Sequence, residues 1–353
     1  MTWGIGAKRL YKNYPMSSPE SSEPIVTLSN VSKTFRQLQA SRLSGPLGLA
    51  QRLFRPTYRE VRALQHIDLN IQRGEIVAYA GPNGAGKSTT VKMLSAMLVP
   101  DEGTVRVLGM DPVRDRVRYV RRIGVVFGQR TELWLDQPVS ASFEWKRVVW
   151  DVPRERYARM VEQMKDLLGL TPFYNSLARE LSLGQKMRAD LGLALIHEPE
   201  ILFLDEPTLG LDVLAKRTIL DFIKQINREQ QVTVMLTSHD MSDLEALAER
   251  VVMVDQGRIA FDGSWERLRR EFTDQRILWV ETLSAQPPQL TGAEHIRSEG
   301  NRHEYRFDAA RINIVGLLEQ VAVQTTVLDV ETHRAAIDDI IANIYARWQV
   351  STK

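Results

Sequence analysis

The chain has 353 residues, 43% hydrophobic and 25% charged, enough to bury a full core and a size that suggests two domains. Its net charge of +2 makes no electrostatic case for nucleic acid, and the absence of Cys excludes disulfides, thiolate catalysis and Cys-based zinc sites. No secretory signal is visible and no apolar run approaches the roughly 20 residues of a membrane span, which predicts a cytosolic chain or one attached to a membrane only through a partner.

Residues 1–24, rich in Ser, Pro and basic residues, read as a loose tail, with Met16 as an alternative start. Residues 25–31 alternate like a strand, which Phe35 closes. The 37–60 segment, with Arg62 just beyond it, interleaves Arg42, Arg52, Arg55 and Arg59 with Leu43, Leu47, Leu49, Leu53 and Phe54. It reads either as a basic amphipathic helix near lipid or a membrane subunit, or as an ordered surface insertion. Gly45, Pro46 and Gly48 break any long helix and favour the insertion. Residues 61–69 give a second strand and 76–80 a buried one.

Gly81-Pro82-Asn83-Gly84-Ala85-Gly86-Lys87-Ser88-Thr89 follows, a G-x-x-x-x-G-K-[ST] phosphate loop between a strand and a helix expected over 87–98. Free N–H groups of the first helical turn and the helix dipole favour phosphate there. Lys87 adds a charge for the β/γ-phosphates and the Ser88 hydroxyl is placed for Mg²⁺. Val91, Leu94, Met97 and Leu98 form the expected buried stripe.

Strands are expected at 104–108 and 123–127, the latter followed by Gln129, whose amide oxygen could reach Mg²⁺ or the attacking water. From 134 to 179 the pattern is helical. Three of the seven tryptophans, Trp134, Trp145 and Trp150, sit here and are expected mostly in a helical core, some of that surface being a possible partner groove. Ser182 and Gln185 are spaced as a capping box. Residues 201–206 form a continuous apolar strand ending in Asp205 and Glu206, as suits a central parallel strand. Asp205 is placed for the Mg²⁺ shell. Glu206, expected to point elsewhere by strand alternation, is a candidate general base. A helix over 213–227 and a strand over 232–236 lead to His239, a candidate γ-phosphate sensor at a strand's carboxyl end. A helix over 243–250 and a hairpin over 251–261, turning at Gln256-Gly257, complete a mostly parallel α/β sheet. Beyond 272, strands at 276–283, 304–307 and 327–331 and helices at 310–321 and 335–347 predict a small α+β domain, 273–353.

Together these residues resemble the nucleotide-binding domain of an ATP-binding cassette (ABC) protein over roughly 25–272. The resemblance implies a phosphate-loop NTPase core with an antiparallel β subdomain and an inserted helical subdomain at about 134–198. It makes 81–89 the Walker A loop, 201–205 the Walker B strand, Glu206 the catalytic glutamate, Gln129 the Q-loop glutamine, His239 the switch histidine and Asp212 the D-loop aspartate. Leu181-Ser182-Leu183-Gly184-Gln185 resembles the family signature, with Leu183 in place of the usual glycine. Phe35 lies where the family stacks adenine, with Tyr58 as a weaker rival.

The resemblance further implies ATP and Mg²⁺, a head-to-tail pair of cassettes, and integral membrane permease subunits as partners. The chain would then be a peripheral subunit on the cytoplasmic face of the membrane. Its variants look like those of bacterial exporters with separate membrane subunits. Translation-associated members carry two cassettes joined by a charged linker, and this chain has one. DNA-repair and chromosome-organising members carry coiled coils or zinc modules, and here there are neither long heptads nor Cys. A soluble assembly ATPase stays open as the alternative.

Overall fold

The computed structural model describes residues 23–38, 58–128, 130–272, 275–309, 311–334, 337, 338, 341, 344 and 345. Most of the expected N-terminal tail with Met16, the 39–57 interior of the basic insertion, Gln129 and most of the expected 335–347 helix lie outside the described residues.

Up to residue 272 the strands are β1 (Val26–Leu38), β2 (Tyr58–Ile71), β3 (Ile76–Ala80), β4 (Glu102–Val107), β5 (Ile123–Phe127), β6 (Ile201–Asp205), β7 (Thr233–Thr237), β8 (Arg250–Asp255) and β9 (Arg258–Ser264). The helices are α1 (Lys87–Leu94), α2 (Arg116–Val120), α3 (Val139–Val149), α4 (Arg154–Leu167), α5 (Leu183–Leu195), α6 (Val213–Gln230), α7 (Met241–Leu247) and α8 (Trp265–Phe272). A six-stranded sheet has the order β5-β6-β7-β3-β8-β9, parallel except for the β8–β9 hairpin. A three-stranded antiparallel sheet, β2-β1-β4, packs beside it.

The continuous apolar runs follow from burial on both faces. Alternation sends Val77, Tyr79, Ile201, Phe203 and Met235 into one core with β1, β2 and α1. It sends Ala78, Leu202, Leu204, Val234 and Leu236 into the other, with α3 to α7. Each buried Leu, Ile or Phe contributes about 1.5–3 kcal/mol. The two sheets therefore hold the carboxyl ends of β3, β5, β6 and β7 in fixed register, and those ends carry the site.

Three local expectations are corrected. The helix after the phosphate loop stops at Leu94, because Ala96 takes φ 60° and a Schellman turn closes it. The Met97 N–H donates to the Lys92 carbonyl at 2.8 Å and the Ala96 N–H to Met93 at 3.1 Å. Met97 is therefore turned out to 51% exposure rather than lying on the buried stripe. Trp134 and Trp145 are 43% and 48% exposed, not core, and lean on each other with ring centroids 5.3 Å apart. Trp150 does pack on the core and stacks on His197 at 4.6 Å. The β8–β9 hairpin turns where the sequence indicated, with positive φ at both Gln256 and Gly257.

Beyond 272, β10 (Gln275–Thr282), β11 (Ala293–Glu299), β12 (Arg302–Asp308) and β13 (Val327–Arg334) form an antiparallel sheet of order β11-β12-β10-β13. Helix α9 (Ile314–Gln324) covers one face, and Leu317 and Val321 bury Leu278, Val280, Tyr305 and Phe307. The chain then returns to the first unit. Ile337, Ile341 and Ile344, at helical spacing, are buried in the same core as Met241 and Leu244 of α7. Asp338 accepts from the Ser242 hydroxyl at 3.1 Å, beside the start of α7.

Candidate active site

The phosphate loop leaves β3 and enters α1 through Gly86, whose φ is 110°. A Cβ there would lie 2.5 Å from the Ala63 carbonyl oxygen of β2, so the left-handed angle and the close approach both require glycine. Behind the loop, the buried Tyr79 hydroxyl meets the Thr90 hydroxyl at 3.1 Å, and Thr90 Oγ1 donates to the Gly86 carbonyl at 3.3 Å. Burial pushes the Tyr79 phenol up to about 12, so it stays neutral. Gly81 to Gly86 thus form a turn whose exit is fixed from beneath.

Lys87 is only 6% exposed. Its ammonium donates to the Gly81 carbonyl at 2.6 Å and the Pro82 carbonyl at 3.2 Å. Burial lowers its pKa, and the nearby charges of Glu206 and Asp205 oppose that. It is a desolvated cation on a loop of backbone donors, a setting that favours a polyanion.

Asp205 closes β6 and gathers two hydroxyls. Ser88 Oγ donates to its Oδ1 at 3.2 Å and Thr237 Oγ1 to the same oxygen at 2.7 Å. Among the described residues no three His, Cys, Asp or Glu cluster as a metal site. One carboxylate beside one hydroxyl suits a hard cation that takes its other oxygens from water and phosphate, and so fits Mg²⁺.

Contrary to the expectation from the sequence, strand alternation does not set the direction of Glu206. The strand ends at Asp205, and Glu206 has φ 58°, a left-handed conformation that costs a non-glycine residue on the order of 1–3 kcal/mol. Two bonds to Thr237 hold it: the Glu206 N–H donates to the Thr237 carbonyl and to its Oγ1, each at 3.1 Å. The side chain then meets His239, with Nε2 2.6 Å from Oε1. Glu206 is 15% exposed and His239 41%, so the pair faces solvent from the carboxyl edge of the sheet. Thr237, fully buried, bridges Asp205 and Glu206 and had no role in the sequence reading. Its only signal there is its place two residues before His239.

A second cluster forms at the start of α5. Ser182 caps the helix, its Oγ accepting from the Gln185 N–H at 3.2 Å, while Gln185 Oε1 accepts from the Ser182 N–H at 2.9 Å. A Cβ on Gly184 would come within 3.1 Å of Ala215 Cβ, so α5 packs closely on α6. Asp212 caps α6, accepting from the Ala215 N–H at 2.8 Å. Leu183 reaches back towards Gly210. The structure thus brings Ser182, Gly184, Gln185 and Asp212 together, and Lys87, Ser88, Asp205, Glu206 and His239 together, as two groups. The Pro82, Asn83, Ala85 and Thr89 positions lie with Lys87, on the phosphate loop. Phe35 is half-buried on β1 opposite Val61, near Leu64, which lies against Gly86. Tyr58 is farther out on the same ladder and 57% exposed.

The ABC transporter family profile matches residues 64–209. The ABC transporter ATP-binding protein NatA of Bacillus subtilis is 32% identical over 217 residues, which are 62% of this chain and 88% of that protein. The daunorubicin resistance ATP-binding protein DrrA3 of Streptomyces coeruleorubidus is 34% identical over 62% of this chain and 69% of its own length. The methionine import ATP-binding protein MetN of Corynebacterium jeikeium is 29% identical over 71% of this chain and 69% of its own length. A dimeric ATP-binding cassette solved in a post-hydrolysis state with ADP and Pi has a TM-score of 0.56 at 25% identity, covering 68% of this chain and 98% of that one. No helix among the described residues is long and apolar enough to cross a membrane. At this identity and coverage, with the phosphate loop, carboxylates and histidine assembled as described, the chain belongs to the ABC transporter ATP-binding proteins, and it binds and hydrolyses ATP.

Proposed function

We propose that two copies of this chain pair head to tail, each ATP lying between the 81–89 loop of one and the Ser182 end of the other. The supporting observation is the surface around the signature. Ser182 opens a helix at a surface flanked by Leu183 at 47% exposure, Leu209 at 40%, Val213 at 80% and Leu214 at 78%. An apolar rim around a helix N-terminus suits a surface that covers another chain's anion.

In this reading Lys87 leaves the Gly81 and Pro82 carbonyls for the β/γ-phosphates. Ser88, Asp205 and Gln129 would hold Mg²⁺, which supplies charge neutralisation on those phosphates. The Glu206 carboxylate takes a proton from the attacking water, and His239 keeps that carboxylate directed at the edge of the sheet. Phe35 offers a face for adenine, and Asp212 fixes the α6 end beside the opposite signature.

The chain drives export through separate membrane subunits, which dock near Gln129 and the exposed Trp134–Trp145 pair. Leu135, Val148 and Val149 enlarge that apolar face. The daunorubicin resistance relative favours export, and the methionine import relative marks the competing direction. Copurification of an integral membrane protein with the tagged chain, then uptake of its substrate into inside-out vesicles with ATP, tests both points. Recovery of the chain with no membrane partner favours a soluble assembly ATPase. Uptake only into right-side-out vesicles loaded with ATP reverses the direction.

A further inference from the structure

Asp190 lies on α5, two turns beyond Ser182, and is 6% exposed. Its Oδ1 accepts from the Thr131 hydroxyl and from the Glu132 N–H, both at 3.0 Å. Thr131 Oγ1 in turn accepts from the Leu133 N–H at 3.1 Å. One buried carboxylate oxygen therefore fixes the main chain immediately after Gln129 to the helix that carries the signature. The next residues are fixed too, since the Trp134 N–H donates to Ser142 of α3 at 3.0 Å and Glu132 pairs with Lys146.

We propose that Asp190 is a positioning residue that makes the segment after Gln129 and the signature helix move as one piece. The proposal rests on the head-to-tail reading above, in which Gln129 serves the chain's own ATP and Ser182 the partner's. Asp190 would then tie the closing of one site to the other. It touches neither nucleotide nor water. An apolar residue of similar size would fill the volume but leave Thr131 and Glu132 without an acceptor.

The environment supplies a readout that packing alone would not move. Burial pushes the Asp190 carboxyl up to about 7. The Glu132 N–H and the Thr131 hydroxyl lower it, the charge of Glu132 raises it and that of Lys146 lowers it. The ionised form accepts the stronger hydrogen bonds. Coupling should therefore strengthen as pH rises through the neutral range.

The test is steady-state ATP turnover of the full chain carrying Asp190→Leu, Asp190→Asn, Thr131→Val, and Thr131→Val with Asp190→Leu. Asp190→Leu should lower kcat about tenfold with KM for ATP within about twofold, since a charge-assisted contact is lost away from the nucleotide. Asp190→Asn keeps an acceptor and should retain most of kcat, but lose the rise in kcat through neutral pH seen in the wild type. Adding Thr131→Val to Asp190→Leu should cost less than Thr131→Val alone, because the Thr131–Asp190 contact is already gone and only the Leu133 N–H bond to Thr131 remains to be lost. Wild-type kcat in Asp190→Leu, or a loss that adds fully to that of Thr131→Val, would overturn the proposal. So would an Asp190→Asn profile that keeps the wild-type pH dependence. Sedimentation of the Glu206→Gln chain with ATP separates the two readings. No ATP-dependent dimer refutes the head-to-tail pair, whereas a normal dimer with unaltered Asp190→Leu kinetics refutes only the coupling.

Discussion

Around Lys87 the polar groups are occupied by one another. The ammonium bonds to two loop carbonyls, Asp205 receives two hydroxyls, Glu206 meets His239, and Thr237 joins the Asp205 carboxylate to the Glu206 main chain. Around Ser182 the chain satisfies only itself. Its capping box is closed, yet the surface beyond is a helix end rimmed by exposed Leu183, Val213 and Leu214. The first region contains groups for chemistry, and the second contains none. The difference teaches where the groups for ATP chemistry lie, in the Lys87 region, whereas in the head-to-tail reading proposed above the Ser182 region acts on another copy's nucleotide.

The largest expected effect attacks the complete region. Glu206→Gln should reduce ATP turnover by about 10²- to 10⁴-fold, the range for loss of a general base, with ATP still bound. A decrease of only a few-fold would move the proton-accepting role elsewhere. The next experiment joins the two regions across chains. Lys87→Ala and Ser182→Arg should each be inactive alone. An equimolar mixture should recover about one quarter of the wild-type rate, because half the pairs regain one intact site. A mixture as inactive as its components would mean that each chain completes its own site. Thr237→Val removes the hydroxyl between Asp205 and Glu206. It should cost about 1–3 kcal/mol in denaturant unfolding and lower kcat about tenfold. An unchanged kcat would make Thr237 a packing residue.

Much of this was legible in the sequence because it is local. The phosphate loop needs fixed glycines, the Ser182–Gln185 box a fixed spacing, and the Gln256-Gly257 turn two positive φ values. Each is written within a few residues. The unread features depend on contacts across the fold. The left-handed Glu206 is held by a residue from β7, and the buried Asp190 is defined by the 131–132 main chain. The Ile337, Ile341 and Ile344 stripe shows only its own helix spacing, not the core it joins. β11 was missed because its residues are half-buried or exposed and lack apolar alternation. Trp134 and Trp145 misled because aromatic size was read as burial.

The smallest expected effect concerns Leu183, the departure from the family signature. Leu183→Gly should destabilise the helix start by about 1 kcal/mol at most and leave turnover within about twofold. Its side chain is half exposed and touches the Gly210 turn rather than the carboxylates. A large gain in turnover would show that this leucine restrains the paired state.

The claim that the Ser182 region is half of a shared site is tested most directly by sedimentation equilibrium of the Glu206→Gln chain with and without Mg-ATP. The chain should be a monomer of 40.3 kDa without nucleotide, double in mass with ATP, and return to monomer when Lys87→Ala is added. A Glu206→Gln chain that stays monomeric at saturating ATP, or a Lys87→Ala chain that still doubles, would contradict it.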